Sequence, residues 1–185
     1  MGKIAEGVTG MDFELVHVNV GRMAAPADDP RMSGFMDNLG PMFALAEAAP
    51  GFVWRQTDDD PGFEWDAGDS AGALVNISVW ASIEELEKFT YSGEHREFVR
   101  RRREWFQHMT AAAYALWWVP AGHRPTTAEA EERVRHLRAN GPTPYAFTFK
   151  QNFPPGTEIP GTEIPGAAIP EPGSSEHSVP ASPLL

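Results

Sequence analysis

The clearest pattern along the chain is the alternation in Phe13 to Gly21, where Val16, Val18 and Val20 share one face and Leu15, His17 and Asn19 the other. Period two marks a strand. Leu74 to Trp80 repeats it, setting Val75, Ile77 and Val79 against Leu74, Asn76, Ser78 and Trp80. Between the two the period becomes helical: Met32, Phe35, Met36, Leu39, Met42, Phe43 and Ala46 form one apolar stripe, with Asp29 placed to cap it and Pro30 at the first helical position. Gly40-Pro41 predicts a kink in that helix. Gly51 opens a short strand, Phe52 to Gln56, and the acidic, glycine-rich stretch Asp58 to Gly72 predicts a surface loop. Ser82-Ile-Glu-Glu85 spells a capping box for a helix through Leu86 and Phe89; Ser92-Gly93 interrupts it before a second helical segment, Glu94 to Met109. Ala112 to Val119 is a strand closed by Pro120. Thr126-Thr-Ala-Glu129 caps a helix that stops at Gly141-Pro142, and Tyr145 to Lys150 adds a last strand.

The order β-α-β-β-α-β followed by α-β predicts an α+β fold, a ferredoxin-like split βαβ with an added C-terminal helix and strand. Such a sheet carries helices on one face. The valine and isoleucine register is expected beneath them, which leaves His17, Asn19, Asn76, Ser78 and Trp80 on the uncovered side. Joined by Trp54 or by Trp117 and Trp118 from neighbouring strands, that side is too aromatic to face water. A second copy is therefore expected to cover it, giving a homodimer, a dimeric α+β barrel around a lined cavity.

Composition adds boundaries. The 185 residues include 15 Lys and Arg against 26 Asp and Glu, a net charge of −11, and no cysteine. Acidity on this scale disfavours nucleic acid and anionic membranes as partners, and the missing cysteine excludes disulfides, thiolate metal sites and cysteine nucleophiles. No run is long and apolar enough to span a bilayer, and the opening residues lack the order of a signal peptide, so a cytoplasmic location is expected. One domain is expected over residues 11–150, after a flexible N-terminus at 1–10. Residues 151–185 carry the repeat Gly156-Thr-Glu-Ile-Pro160, Gly161-Thr-Glu-Ile-Pro165, Gly166-Ala-Ala-Ile-Pro170 and are expected to form a disordered tail, because proline at every fifth position blocks helix and ladder alike.

No phosphate-binding loop, dinucleotide fingerprint or HExxH occurs, and the six histidines are scattered, so no metal site is predicted. Candidate chemistry gathers elsewhere. On a helix from Glu94 to Met109, His95 and Arg102 fall within the arc of Phe98, Val99, Trp105, Phe106 and Met109. An arginine among aromatics needs a partner: an ion pair, the face of Trp105, or the carboxylate, phenolate or enolate of a substrate. His95 and His17 have two readings each, a general acid/base near neutrality or a structural hydrogen bond. Asn19 and Asn76 either pin each other across adjacent strands or donate amide hydrogens to a developing oxyanion. Tyr91 is a proton donor or a packed ring. Trp80, Ser78, Trp54, Trp105 and Trp118 are the expected lining of the cavity. Arg100 to Arg103 read as a solvated flank balanced by Glu94, Glu97 and Glu104.

Leu74-Val-Asn-Ile-Ser-Val-Trp80, His95 with the following Arg-Arg-Arg-Arg-Glu-Trp-Phe106, Leu116-Trp-Trp-Val-Pro-Ala-Gly-His123 and Gly141-Pro-Thr-Pro-Tyr-Ala-Phe-Thr-Phe149 resemble the uncharacterised domain family numbered 3291. That family is similar to the antibiotic biosynthesis monooxygenases of the dimeric α+β barrel superfamily. Tyr91-Ser-Gly-Glu-His95 departs from the family's Tyr-Arg-Ser-x-His, so no role of that arginine carries over. The resemblance implies a small-molecule enzyme, a cofactor-independent monooxygenase-like protein acting on an aromatic or polyketide-like metabolite, in which an electron-rich enolate or phenolate reduces oxygen directly. Haem-degrading relatives use an Asn, a Trp and a His on the elements of Asn19, Trp80 and His95; cofactor-free oxygenases use sets that Asn19, Trp80, Tyr91 and Arg102 match. Three further readings stand beside it. They are a cyclase, isomerase or dehydratase of natural-product biosynthesis with the same base, a haem-binding or haem-degrading barrel with His95 or His17 as axial ligand, and a non-catalytic ligand-binding protein.

Overall fold

A computed structural model of the chain describes residues 12–57, 73–91 and 93–158. Four antiparallel strands form one sheet in the order β2-β3-β1-β4. They are β1 (Phe13–Arg22), β2 (Phe52–Arg55), β3 (Ala73–Trp80) and β4 (Tyr114–Pro120), and the helices are α1 (Ser33–Glu47), α2 (Ile83–Tyr91), α3 (Gly93–Arg101) and α4 (Thr127–Asn140). This is the expected α+β, ferredoxin-like arrangement with its extra C-terminal helix.

The helix boundaries follow the chemistry read from the sequence. The Asp29 side chain accepts the Arg31 amide hydrogen at 2.9 Å and opens a single 3₁₀ turn, Pro30–Met32, that runs into α1. Ser82 Oγ accepts the Glu85 amide hydrogen at the start of α2, and Thr126 Oγ1 does the same for Glu129 at the start of α4. Gly93, at φ +55°, separates α2 from α3, a conformation that other residues resist. Two predicted elements are shorter than expected. The helical segment read as Glu94 to Met109 ends as α-helix at Arg101 and closes in a 3₁₀ turn, Arg102–Glu104. The strand read at Tyr145 to Lys150 reduces to one bridge, Leu116 to Phe147, beside a turn at Thr143–Ala146. The loop read at Asp58 to Gly72, the N-terminus at 1–10 and the repeat segment beyond 158 lie outside the described residues. Up to Phe153 the chain stays on the domain, because Trp118 Nε1 donates to the Phe153 carbonyl at 2.7 Å.

The assignment of the sheet faces needs correction. Val16, Val18, Val20, Val75, Ile77, Val79, Ala115, Trp117 and Val119 do share a face, but α4 covers it through Ala130, Val134 and Leu137. The opposite face, carrying Leu15, Trp80 and Leu116, takes Leu86 and Phe89 of α2 and the end of α1. At the other end of that face, Leu74 joins Phe35 of α1, Phe98 of α3 and Trp105, and Phe106 packs so closely on β1 that a Cβ at Gly21 would stand 2.7 Å from its ring. Both registers are apolar, so both take helices. Where the sequence predicts an uncovered tryptophan-bearing surface for a second copy, the chain's own α1, α2 and α3 cover Trp80, Leu15 and Leu116 at one end and Leu74 at the other.

Candidate functional site

Between those two clusters, the face under α1, α2 and α3 carries His17, Asn19 and Asn76. Asn19 is exposed although β1 has a strand on each side, and His17 and Asn76 are half-buried. The stretch between the two helix-covered clusters is therefore left uncovered at Asn19, an open hollow with the sheet as its floor. Asn19 is the cross-strand partner of Asn76 on β3 and of Tyr114 on β4, and His17 that of Ser78 and Leu116. Direct partners point to the same side, so the floor is set by register. Neither asparagine amide has a hydrogen-bond partner among the described residues, so of the two readings of this pair the pin across the strands is not formed.

His95 approaches from the helical side. Its Nδ1 lies 3.2 Å from the Thr90 carbonyl near the end of α2. A carbonyl only accepts, so Nδ1 carries the hydrogen of the neutral ring and Nε2 keeps its lone pair. The ring packs 4.4 Å from that of Phe89, which itself lies 5.0 Å from Trp80. Burial pushes the His95 pKa down, partly opposed by the bond to Thr90. Burial, and then the nearness of His95, push His17 down to about 4. Two imidazoles thus reach one region, both neutral near pH 7, with His95 making His17 harder to charge. On its outer side His95 borders a cleft of about 290 Å³ between the end of α1 and the α2–α3 junction, lined also by Leu45, Ala49, Glu85 and Phe89.

Tyr91 stands at the rim, exposed, its ring 5.7 Å from that of Phe149. Burial of the hydroxyl, then the nearby Tyr114 and Glu87, raise its pKa, with Arg102 opposing. Arg102 is exposed, its Nη1 3.5 Å from the Val99 carbonyl. It does not lie among the aromatics as the helical arc predicted, because the 3₁₀ turn changes the angular phase after Arg101. Arg101 takes the place over Trp105, 4.7 Å from the ring, and pairs with Glu104 at 2.9 Å. Arg100 pairs with Glu97, as a solvated flank would.

The expected tryptophan lining is not there. Trp80 is buried in the core and donates through Nε1 to Ser78 Oγ at 3.0 Å, so both residues are structural. Trp105 is buried at the far end with Phe35 and Phe98. Trp54 belongs to the opposite face beneath Arg124. Trp118 holds the C-terminal segment instead of a ligand. Sequence reasoning missed Tyr114, Phe89 and the Thr90 carbonyl. Tyr114 shares the two-residue period of Leu116 and Trp118, but only the pairing of β4 with β1 sets it beside Asn19.

Among the described residues no three His, Asp or Glu side chains gather as a metal ion would require, and no helix is long and apolar enough to cross a membrane. The sequence profile of a family described as a domain of unknown function (DUF3291) matches residues 14–161. No curated protein matches the chain. Among solved structures it is similar to SnoaB, a cofactor-independent oxygenase from Streptomyces nogalater, at 16% identity over 62% of this chain and 96% of that one, with a TM-score of 0.38. PA3566 from Pseudomonas aeruginosa is similar at 15% identity over 63% and 99%, with a TM-score of 0.40. Rv0793 from Mycobacterium tuberculosis is similar at 14% over 62% and 98%, with a TM-score of 0.38.

Proposed function

The chain belongs to the DUF3291 family, and for this member we propose an acid–base enzyme acting on a small aromatic or polyketide-like metabolite, working as a cofactor-independent monooxygenase. The observation that carries this reading is the exposed Asn19 on an inner strand between two helix-covered clusters, where the amides of Asn19 and Asn76 have no hydrogen-bond partner among the described residues and two neutral imidazoles lie close by.

The substrate enters as a neutral phenol or activated methylene compound, which suits a region where charge is costly. His95 Nε2 takes its acidic proton, and the Thr90 carbonyl, already bonded to Nδ1–H, steadies the imidazolium that forms. Asn19 and Asn76 donate amide hydrogens to the oxygen on which negative charge gathers. His17, held neutral, excludes a competing positive charge and shapes the floor. The resulting carbanion gives its electrons to molecular oxygen: a methylene carbon and O₂ become a carbonyl and water, so the substrate is the only reductant. Arg102 and Tyr91 stand at the rim, where an acidic group of the substrate meets the guanidinium.

The test is oxygen consumption with phenolic and anthrone-type substrates, with product mass read in parallel. Uptake of oxygen with one added oxygen atom and two lost hydrogens, abolished in His95→Gln and cut at least tenfold in Asn19→Ala, is the expected result. Turnover without added oxygen assigns the pocket to a cyclase, isomerase or dehydratase. A Soret band with haemin that disappears in His95→Gln or His17→Gln assigns it to haem. Ligand affinity with no turnover of any candidate makes it a binding protein.

A further inference from the structure

Tyr114 is the residue at the hollow that no sequence motif marked. It lies on the same face as Asn19, its direct cross-strand partner, and its ring stands 6.2 Å from that of His17. The Phe149 ring packs on it at 5.6 Å, and its hydroxyl oxygen accepts the Phe149 amide hydrogen at 3.3 Å. A phenol has one hydrogen, which lies in the ring plane on the side away from an accepted donor. With the Phe149 amide on one side, the Tyr114 O–H is left to donate on the other, and it has no acceptor among the described residues. Tyr114 is half-buried, so its ring is not part of the closed core.

We infer that Tyr114 is a further catalytic residue, whose hydroxyl donates a hydrogen bond to the substrate oxygen that gains negative charge, completing a three-donor cradle with the amides of Asn19 and Asn76. The inference rests on the hollow being the substrate site. The three donors come from three adjacent strands, β4, β1 and β3, so their spacing is set by the sheet and does not have to be organised when charge develops. The Phe149 segment acts as the positioning element: by filling one lone pair of Tyr114 it directs the O–H.

The probe is 4-nitrophenol, which absorbs near the visible only as the phenolate. Tryptophan quenching reads its affinity, and absorbance against pH reads the ionisation midpoint of the bound probe. Tyr114→Phe keeps the ring against Phe149 and removes the donor. The expected result is a bound midpoint about one unit higher in Tyr114→Phe than in the wild type, the tenfold loss of phenolate preference that one charge-assisted hydrogen bond supplies. Should the variant not fold, the wild type alone decides. The chain has only three tyrosines, Tyr91, Tyr114 and Tyr145, so ring-labelled tyrosine resolves the Tyr114 Cζ resonance, which must move as the phenolate saturates. A bound probe with equal midpoints in both proteins, or with Tyr114 Cζ unmoved, overturns the role of Tyr114 and leaves the hollow standing. Failure of the wild type to bind the probe at all overturns both.

Discussion

Replacing His17 by Gln removes a titrating group from beneath the helices while keeping a polar side chain of similar reach. In the folded protein the His17 pKa lies at about 4, against an ordinary 6.5. The native state therefore binds fewer protons than the unfolded chain between these values. The sign follows: stability from this group is complete above about pH 6.5, falls as pH drops through the interval, and levels off below about 4. Integrated from neutrality to about pH 5, the loss is about 2 kcal/mol, approaching about 3 kcal/mol when the folded pKa is passed. Urea unfolding followed by tryptophan fluorescence at about pH 7 and about pH 5 measures it in both proteins. The carboxylates and the remaining histidines are common to the two, so their contributions cancel in the difference. Wild type is expected to lose about 2 kcal/mol more than His17→Gln on acidification. Equal losses, to within about 0.5 kcal/mol, would refute the claim that the helices hold His17 neutral.

Removing the neighbouring imidazole with His95→Gln should raise the His17 pKa toward its ordinary value, since His95 opposes its protonation; an NMR titration that leaves the midpoint in place contradicts the two-histidine arrangement. Phe147 is fully buried against Leu116 and Trp118, and Phe147→Ala should cost about 3–5 kcal/mol in chemical denaturation. Trp118→Phe removes the donor to the Phe153 carbonyl; it should cost about 1 kcal/mol and speed chymotryptic cleavage after Phe149, the bond ahead of Lys150, whereas unchanged cleavage would mean the segment is held elsewhere. Thr126→Ala leaves the Glu129 amide hydrogen without its acceptor and should lower the urea midpoint by the equivalent of about 1 kcal/mol.

Local signals were legible because the forces behind them are local. The two valine registers, the Asp29, Ser82 and Thr126 caps, and the glycines at 93 and 141 depend on a few neighbouring residues, and each appears where its chemistry demands. Part of the candidate site was legible for the same reason. Once β1 and β3 were recognised, period two put His17 and Asn19 together and Asn76 on the corresponding face, and the start of α3 placed His95. What failed turned on distance. A single helical phase carried past Arg101 puts Arg102 in the aromatic arc, but the 3₁₀ turn that shifts the phase forms where Trp105 must seat against Phe35 and Phe98.

The sequence by itself determined the order of elements, their caps and the two-sided character of each strand. It left open which side each helix would cover, because alternation is symmetric: Leu15, Leu74, Leu116 and Trp80 are as apolar as the valines opposite them. Only the tertiary structure decided, when α4 found a complement to its Ala130, Val134 and Leu137 on the valine side and α1, α2 and α3 took the other. That choice put Trp80 in the core, set Tyr114 beside Asn19, and left a polar gap where two apolar clusters fail to meet. Burial free energy adds over contacts made by residues far apart in the chain, and no window of sequence contains that sum.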